Sequence, residues 1–238
     1  VVPVGSGLPV SQMIMFVTQY LATGVDGGML TALRTANRFR QLPIGVFATS
    51  IAVAIFPTMT QQASTGDYPE LKRSIGMGLR TSFYMIIPSA VGLIMLREPI
   101  IRFLYEFSGE FTAHDTYITG QALLYYCIGL AAYGAILIAL RGFYAIQNTL
   151  IPLLISVAAI IINVLFSVIL VDPMGHCGLA LAYSLAGIAQ FLLLMYFLRR
   201  KIGQMGLRYM GKSLLQIVIA CVVMALAVWG ASELCVVV

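Results

Sequence analysis

Polar and apolar positions along this chain fall in long blocks. Apolar windows lie at residues 8–25, 42–60, 79–96, 118–140, 149–171, 174–198 and 213–231, divided by short polar connections. A helix needs about 20 mainly apolar residues to cross a hydrocarbon core of about 30 Å, so these windows predict about seven transmembrane helices. They lack the in-and-out alternation over about ten residues that marks an outer-membrane barrel, and hydrocarbon offers no partner to unpaired backbone. The expected fold is an all-α integral membrane bundle.

The simple pattern breaks at residues 27–57, GGMLTALRTANRFRQLPIGVFATSIAVAIFP. The second half is apolar enough for a bilayer, whereas the first carries Arg34, Arg38 and Arg40 with no acidic residue among them. As one helix the stretch is roughly 46 Å long at about 1.5 Å per residue, a long membrane helix with a basic outer third. At about 100° per residue Arg34 and Arg38 share a face, which Gln41, Gly45 and Thr49 continue toward the membrane centre. A polar, small-residue stripe with arginine at its mouth suits a helix lining a watery cavity, because a charge facing lipid near the bilayer centre costs at least about 3 kcal/mol. The alternative is that these arginines snorkel to lipid phosphates.

Hydrophobic residues make up 60% of the chain and charged residues 10%, against about 25% charged in soluble domains. The net charge of +5 is spread over short loops rather than gathered in a soluble patch, which argues against nucleic acid as a partner. Numbering the loops alternately puts Lys72, Arg73, Arg80, Arg141, Arg199, Arg200, Lys201, Arg208 and Lys212 on one side, opposed by Asp67 and Glu70. By the positive-inside rule that side is cytoplasmic, and the first span starts there. The other side holds Asp26, Glu98, Glu106, Glu110, Asp115, Asp172 and Glu233 beside Arg97 and Arg102. Arg34, Arg38 and Arg40 fall on this outer side against the trend, which favours binding over topology as their purpose.

In the first window Ser11, Thr18 and, less closely, Gln12, Gln19 and Thr23 face a common side, suiting a hydrated path or interhelical hydrogen bonds. Gly66, Asp67 and Pro69 read as a turn followed by a helix start. Pro88 removes a backbone bond in the middle of the third span and predicts a kink. Residues 97–117 read as a short interfacial helix and then a turn at Ser108 and Gly109. Asn163 and Ser167, four apart, make one polar patch in the fifth span, either an ion or substrate contact or helix packing. Gly178, Ala182 and Ala186 form a small-residue seam for close helix approach. The basic segment 199–212 suits anionic headgroups and separates a six-helix unit at 1–201 from an added helix at 202–238.

Support for catalysis is poor: the two histidines, His114 and His176, sit in outer loops, and no HExxH, CxxC or nucleophile-elbow pattern occurs. No metal site and no disulfide framework is expected from cysteines 127, 177, 221 and 235; a Cys177–Cys235 bridge on the outer side has no spacing rule behind it. The chain opens on Val1 and reads as part of something longer.

Three stretches carry a family likeness: ANRFRQLPIGVFATSIAVAIFP at 36–57, GEFTAHDT at 109–116 and RGFYAIQNTLIP at 141–152. Over residues 8–201, and more weakly in the last span, the chain resembles the C-terminal half of the MurJ (MviN) lipid II flippase family of the MOP exporter superfamily. The resemblance implies a protein of two six-helix lobes around a central cavity, with two further helices forming a lipid-facing groove. This chain would be the second lobe and the first of those two helices. Its implied function is flipping of the undecaprenyl-pyrophosphate-linked peptidoglycan precursor, lipid II, across the bacterial cytoplasmic membrane by alternating access. Its implied partners are membrane lipid, the lipid-linked anionic precursor and the missing N-terminal half.

The same resemblance assigns residues. Family members bind the pyrophosphate with cavity arginines, and Arg38 stands at this lobe's position, with Arg34 as its neighbour on the shared face. Independently of the resemblance, the helical face shared with the arginines makes Gln41 and Thr49 candidate cavity-lining residues, with Thr18 from the polar side of the first window. Family sequences commonly read Ala-Asp-Arg where this chain has Ala36, Asn37 and Arg38, which removes a charge beside the key arginine. Some members hold sodium through a carboxylate in the first span; Thr18 stands at that place, with Asn163 and Ser167 as remaining contacts. A sodium ion or the membrane potential is the expected energy source, with no other cofactor. Two further readings stay open: a MATE-like or polysaccharide-lipid exporter of the same superfamily, the former expected to use cavity carboxylates, and a non-transporting membrane scaffold.

Overall fold

In the computed structural model, which describes residues 27–106, 111–203 and 216–227, every described element is helical. The arginine stretch opens it as α1 (Gly27–Pro43), passes through one wide turn at Ile44–Ala48 and continues as α2 (Thr49–Ser64). Pro43 has no N–H to offer the Phe39 carbonyl, and just beyond it the ladder widens, the Thr49 N–H reaching back to the Ile44 carbonyl. Gly28–Ser64 is one apolar helix of 37 residues, about 55 Å at the usual rise and well beyond the hydrocarbon thickness.

The expected turn then appears. Gly66 takes φ +73°, and the Asp67 side chain accepts the Glu70 N–H at 3.2 Å, with Pro69 in the first turn of α3 (Tyr68–Met95). Pro88 lies inside α3, which continues through it. The expected interfacial segment is α4 (Arg97–Ile101) with a second wide turn at Arg102–Glu106; the turn at Ser108 and Gly109 lies outside the described residues.

The span expected at 118–140 is covered by two helices, α5 (Ala113–Ile128) and α6 (Leu130–Ala145), bent by 43° at Gly129. Gly129 turns its N–H to Cys127, and the Tyr125 carbonyl left by this break accepts the Ser184 hydroxyl at 2.6 Å. Hydropathy is continuous across the site and does not register the bend, which is satisfied by this distant hydrogen bond. Thr112 and Asp115 close a reciprocal capping box at the start of α5.

The chain finishes as α7 (Leu150–Met174), α8 (His176–Ile202) and α9 (Gln216–Ala227). Between α6 and α7, Gln147 adopts φ 56°, the Asn148 N–H returns to the Phe143 carbonyl, and the Asn148 side chain accepts the Ile151 N–H at 3.2 Å. Leu150, Leu154, Val157, Ile161, Leu165 and Val168 leave one face of α7 exposed for lipid, while Pro152, Ile155, Ala159, Asn163 and Ser167 are buried on the other. The expected small-residue seam packs as predicted: Gly178, Ala182 and Ala186 are all buried in α8.

Among the described residues four helices are long and apolar enough to span singly, and the bent α5–α6 pair passes the same test when taken together as one broken span. The first expected span, 8–25, lies outside the described residues, and α9 covers part of the last. Two apolar clusters fill the bundle. One surrounds Leu71, Ile75, Leu79, Ile138, Phe143 and Leu198 and takes in Ile217 and Cys221 of α9. The other, around Ala36, Phe39, Ile86, Leu123, Leu130 and Tyr183, carries the site.

Candidate functional site

Along α1 and α2 the exposed positions Thr31, Arg34, Arg38, Gln41, Gly45 and Thr49 recur in steps of three or four, so the expected stripe lies on one open face. The opposite side buries Leu33, Ala36, Phe39 and Ala48. Thr49 spends its hydroxyl on the Ile44 carbonyl at 3.2 Å, and Ser50 bonds Val46 at 2.7 Å, which helps satisfy the backbone of the widened turn. Thr18 lies outside the described residues.

Beside Arg38 an open pocket of about 360 Å³ is lined by Phe39, Leu42, Leu104 and Tyr105. Tyr105 comes from the wide turn after α4, meets Phe39 edge-on at 6.1 Å and stacks on Phe111 at 4.9 Å. Sequence reading placed the segment 97–106 at the interface but not against Arg38. One guanidinium bordered by an aromatic and aliphatic wall can take an amphiphile, the anionic group at the arginine and apolar carbon against the wall.

Arg40 behaves differently from its neighbours. Two residues beyond Arg38 it points about 200° away around the helix, and it is 4% exposed. Its Nε and Nη2 donate to Asn37 Oδ1 at 3.0 and 2.7 Å, and Nη2 also donates to the Tyr183 hydroxyl at 3.2 Å. The guanidinium lies 4.6 Å from the ring centre of Tyr183, 4.9 Å from that of Tyr133 and 5.6 Å from that of Tyr126. Tyr133 and Tyr183 are stacked at 4.7 Å. The cage thus joins α1 to α5, α6 and α8, and its tyrosines flank the break at Gly129. Grouping Arg40 with Arg34 and Arg38 by proximity missed this, although the helical spacing already set it off their face.

Asn163 and Ser167 are fully buried on α7, and their side-chain polar atoms have no hydrogen-bond partner among the described residues. Cys127, Cys177 and Cys221 are free thiols; Cys235 lies outside the described residues. No group of three or more metal-ligating side chains occurs among the described residues.

The model of the family described as lipid II flippase MurJ matches residues 3–237. A lipid II flippase MurJ of Thermosipho africanus is 37% identical over 164 residues, covering 69% of this chain and 33% of that protein. A probable lipid II flippase MurJ of Rhizobium tropici is 31% identical over 178 residues, covering 75% of this chain and 33% of that one. The chain thus spans about a third of these curated relatives. A solved structure of lipid II flippase MurJ in an inward closed conformation superposes with a TM-score of 0.81 at 32% identity, over 93% of this chain and 45% of that one.

Proposed function

Since the chain belongs to the lipid II flippase MurJ family, we propose that it supplies one lobe of a multi-pass transporter that flips lipid II across a bacterial cytoplasmic membrane. The observation that carries this reading is the open face of α1, where Arg38 and Arg34 stand exposed on a helix otherwise apolar enough to span. A diphosphate leaving water needs compensating positive charge and paired donors, which a guanidinium supplies in a planar fork. Phe39, Leu42, Leu104 and Tyr105 give the apolar carbon next to that diphosphate a surface. The other wall of the cavity comes from the rest of the protein, and access alternates as one half rocks against the other.

The Asn163 and Ser167 oxygens fit sodium poorly. A buried cation needs negative charge or a full set of oxygens to offset its desolvation, and this pair brings two neutral donors with no carboxylate bonded to them among the described residues. The reading therefore routes no ion-coupled step through Asn163 and Ser167. Its test is Arg38→Ala in the full-length protein, expressed at normal level in a strain depleted of its own flippase. Loss of growth is expected, and unimpaired growth would overturn the assignment.

A further inference from the structure

We infer that Arg40 is a specificity-determining charge for the anion site, acting through its field rather than by contact, an inference that rests on the reading of Arg38 as the anion-binding arginine. Among the described residues the partners that hold it are all neutral: the Asn37 amide, the Tyr183 hydroxyl and the faces of Tyr126, Tyr133 and Tyr183. Three outer-side carboxylates are engaged elsewhere. Glu98 sits 3.6 Å from Arg97, Glu106 takes Arg102 at 3.2 Å and Thr116 at 3.1 Å, and Asp115 is spent in the Thr112 capping box.

Burying a charge without a counter-ion is costly, and ring faces offset that cost in a particular way. A ring quadrupole attracts the cation at short range but falls off steeply, so it stabilises the guanidinium and leaves the unit charge uncancelled at a distance. A carboxylate would stabilise it equally and erase the field. Arginine keeps its proton in proteins, so this charge is permanent. It projects from the opposite side of the helix to Arg38, and one unit charge acting across about 15 Å at an effective dielectric constant of about 20 changes the affinity for an anion about fivefold.

Arg40→Lys set against Arg40→Gln separates this role from a structural one: both lose the paired donation to Asn37, and only lysine keeps the positive charge. The experiment titrates undecaprenyl pyrophosphate, and undecaprenol as an uncharged control, into the full-length protein in nanodiscs at low salt. Arg40→Gln and Arg40→Met should each weaken pyrophosphate-lipid binding about fivefold and leave undecaprenol binding unchanged. Arg40→Lys, which keeps the charge, should bind close to the parent. Equal affinities for Arg40→Gln and Arg40→Lys overturn the inference; should Arg40→Gln not fold, equal affinities for Arg40→Met and Arg40→Lys overturn it. Parental affinity in Arg38→Ala would instead remove the site reading itself.

Discussion

At Gly129 a methyl group has nowhere to go. A Cβ there would lie 2.7 Å from the Ser184 Cα and 2.9 Å from its Cβ, so the backbone of α8 would have to move. Gly129→Ala should therefore cost about 1–3 kcal/mol, whereas Gly76→Ala on α3, where nothing lies within 4 Å, should gain about 0.5–1 kcal/mol of helix propensity. Thermal unfolding of the two variants in detergent checks both signs. Residues differ in the same way in how far the sequence discloses them. The exposure of Arg34 and Arg38 follows from local helical spacing and was readable directly. The burial of Arg40 depends on tyrosines far along the chain, Tyr183 being 143 residues away, and on that scale a sequence pattern carries no distance information.

Two of the stretches that carry the family likeness turn out to be helix boundaries. GEFTAHDT contains the Thr112–Asp115 capping box that starts α5, and RGFYAIQNTLIP contains the Gln147 turn and the Asn148 cap that start α7. Capping is decided within about four residues, which is why such elements announce themselves in sequence. The bend between α5 and α6 is the opposite case, because the Ser184 hydroxyl that satisfies it comes from 59 residues downstream. Removing the box tests the local reading. Thr112→Ala leaves the Asp115 N–H without the Thr112 oxygen and should cost about 1 kcal/mol. The loss should appear as faster hydrogen exchange confined to the first turn of α5.

On the scale of the whole molecule, the helix order sorts the charges onto two ends. The connections α2–α3 and α6–α7 and the end of α8 lie at one end, with Lys72, Arg73, Arg141, Arg199, Arg200 and Lys201 near them and Asp67 and Glu70 opposing. At the other end are the start of α1, the α3–α5 connection and the α7–α8 turn, where Glu98, Glu106, Asp115 and Asp172 stand beside Arg97 and Arg102. Each juxtamembrane basic residue is worth about 1 kcal/mol at an anionic inner surface, so the imbalance is large enough to fix the direction of insertion. The basic end should therefore face the cytoplasm, and the open face carrying Arg34 and Arg38 should reach the membrane from the outer side. Single cysteines in a cysteine-free full-length protein test this with a membrane-impermeant maleimide. A cysteine at Ala113, exposed at the start of α5, should label in intact cells, and one at Gly66, exposed in the α2–α3 turn, only after permeabilisation. Labelling of Gly66→Cys in intact cells would invert the lobe and turn the open face carrying Arg34 and Arg38 toward the cytoplasmic side.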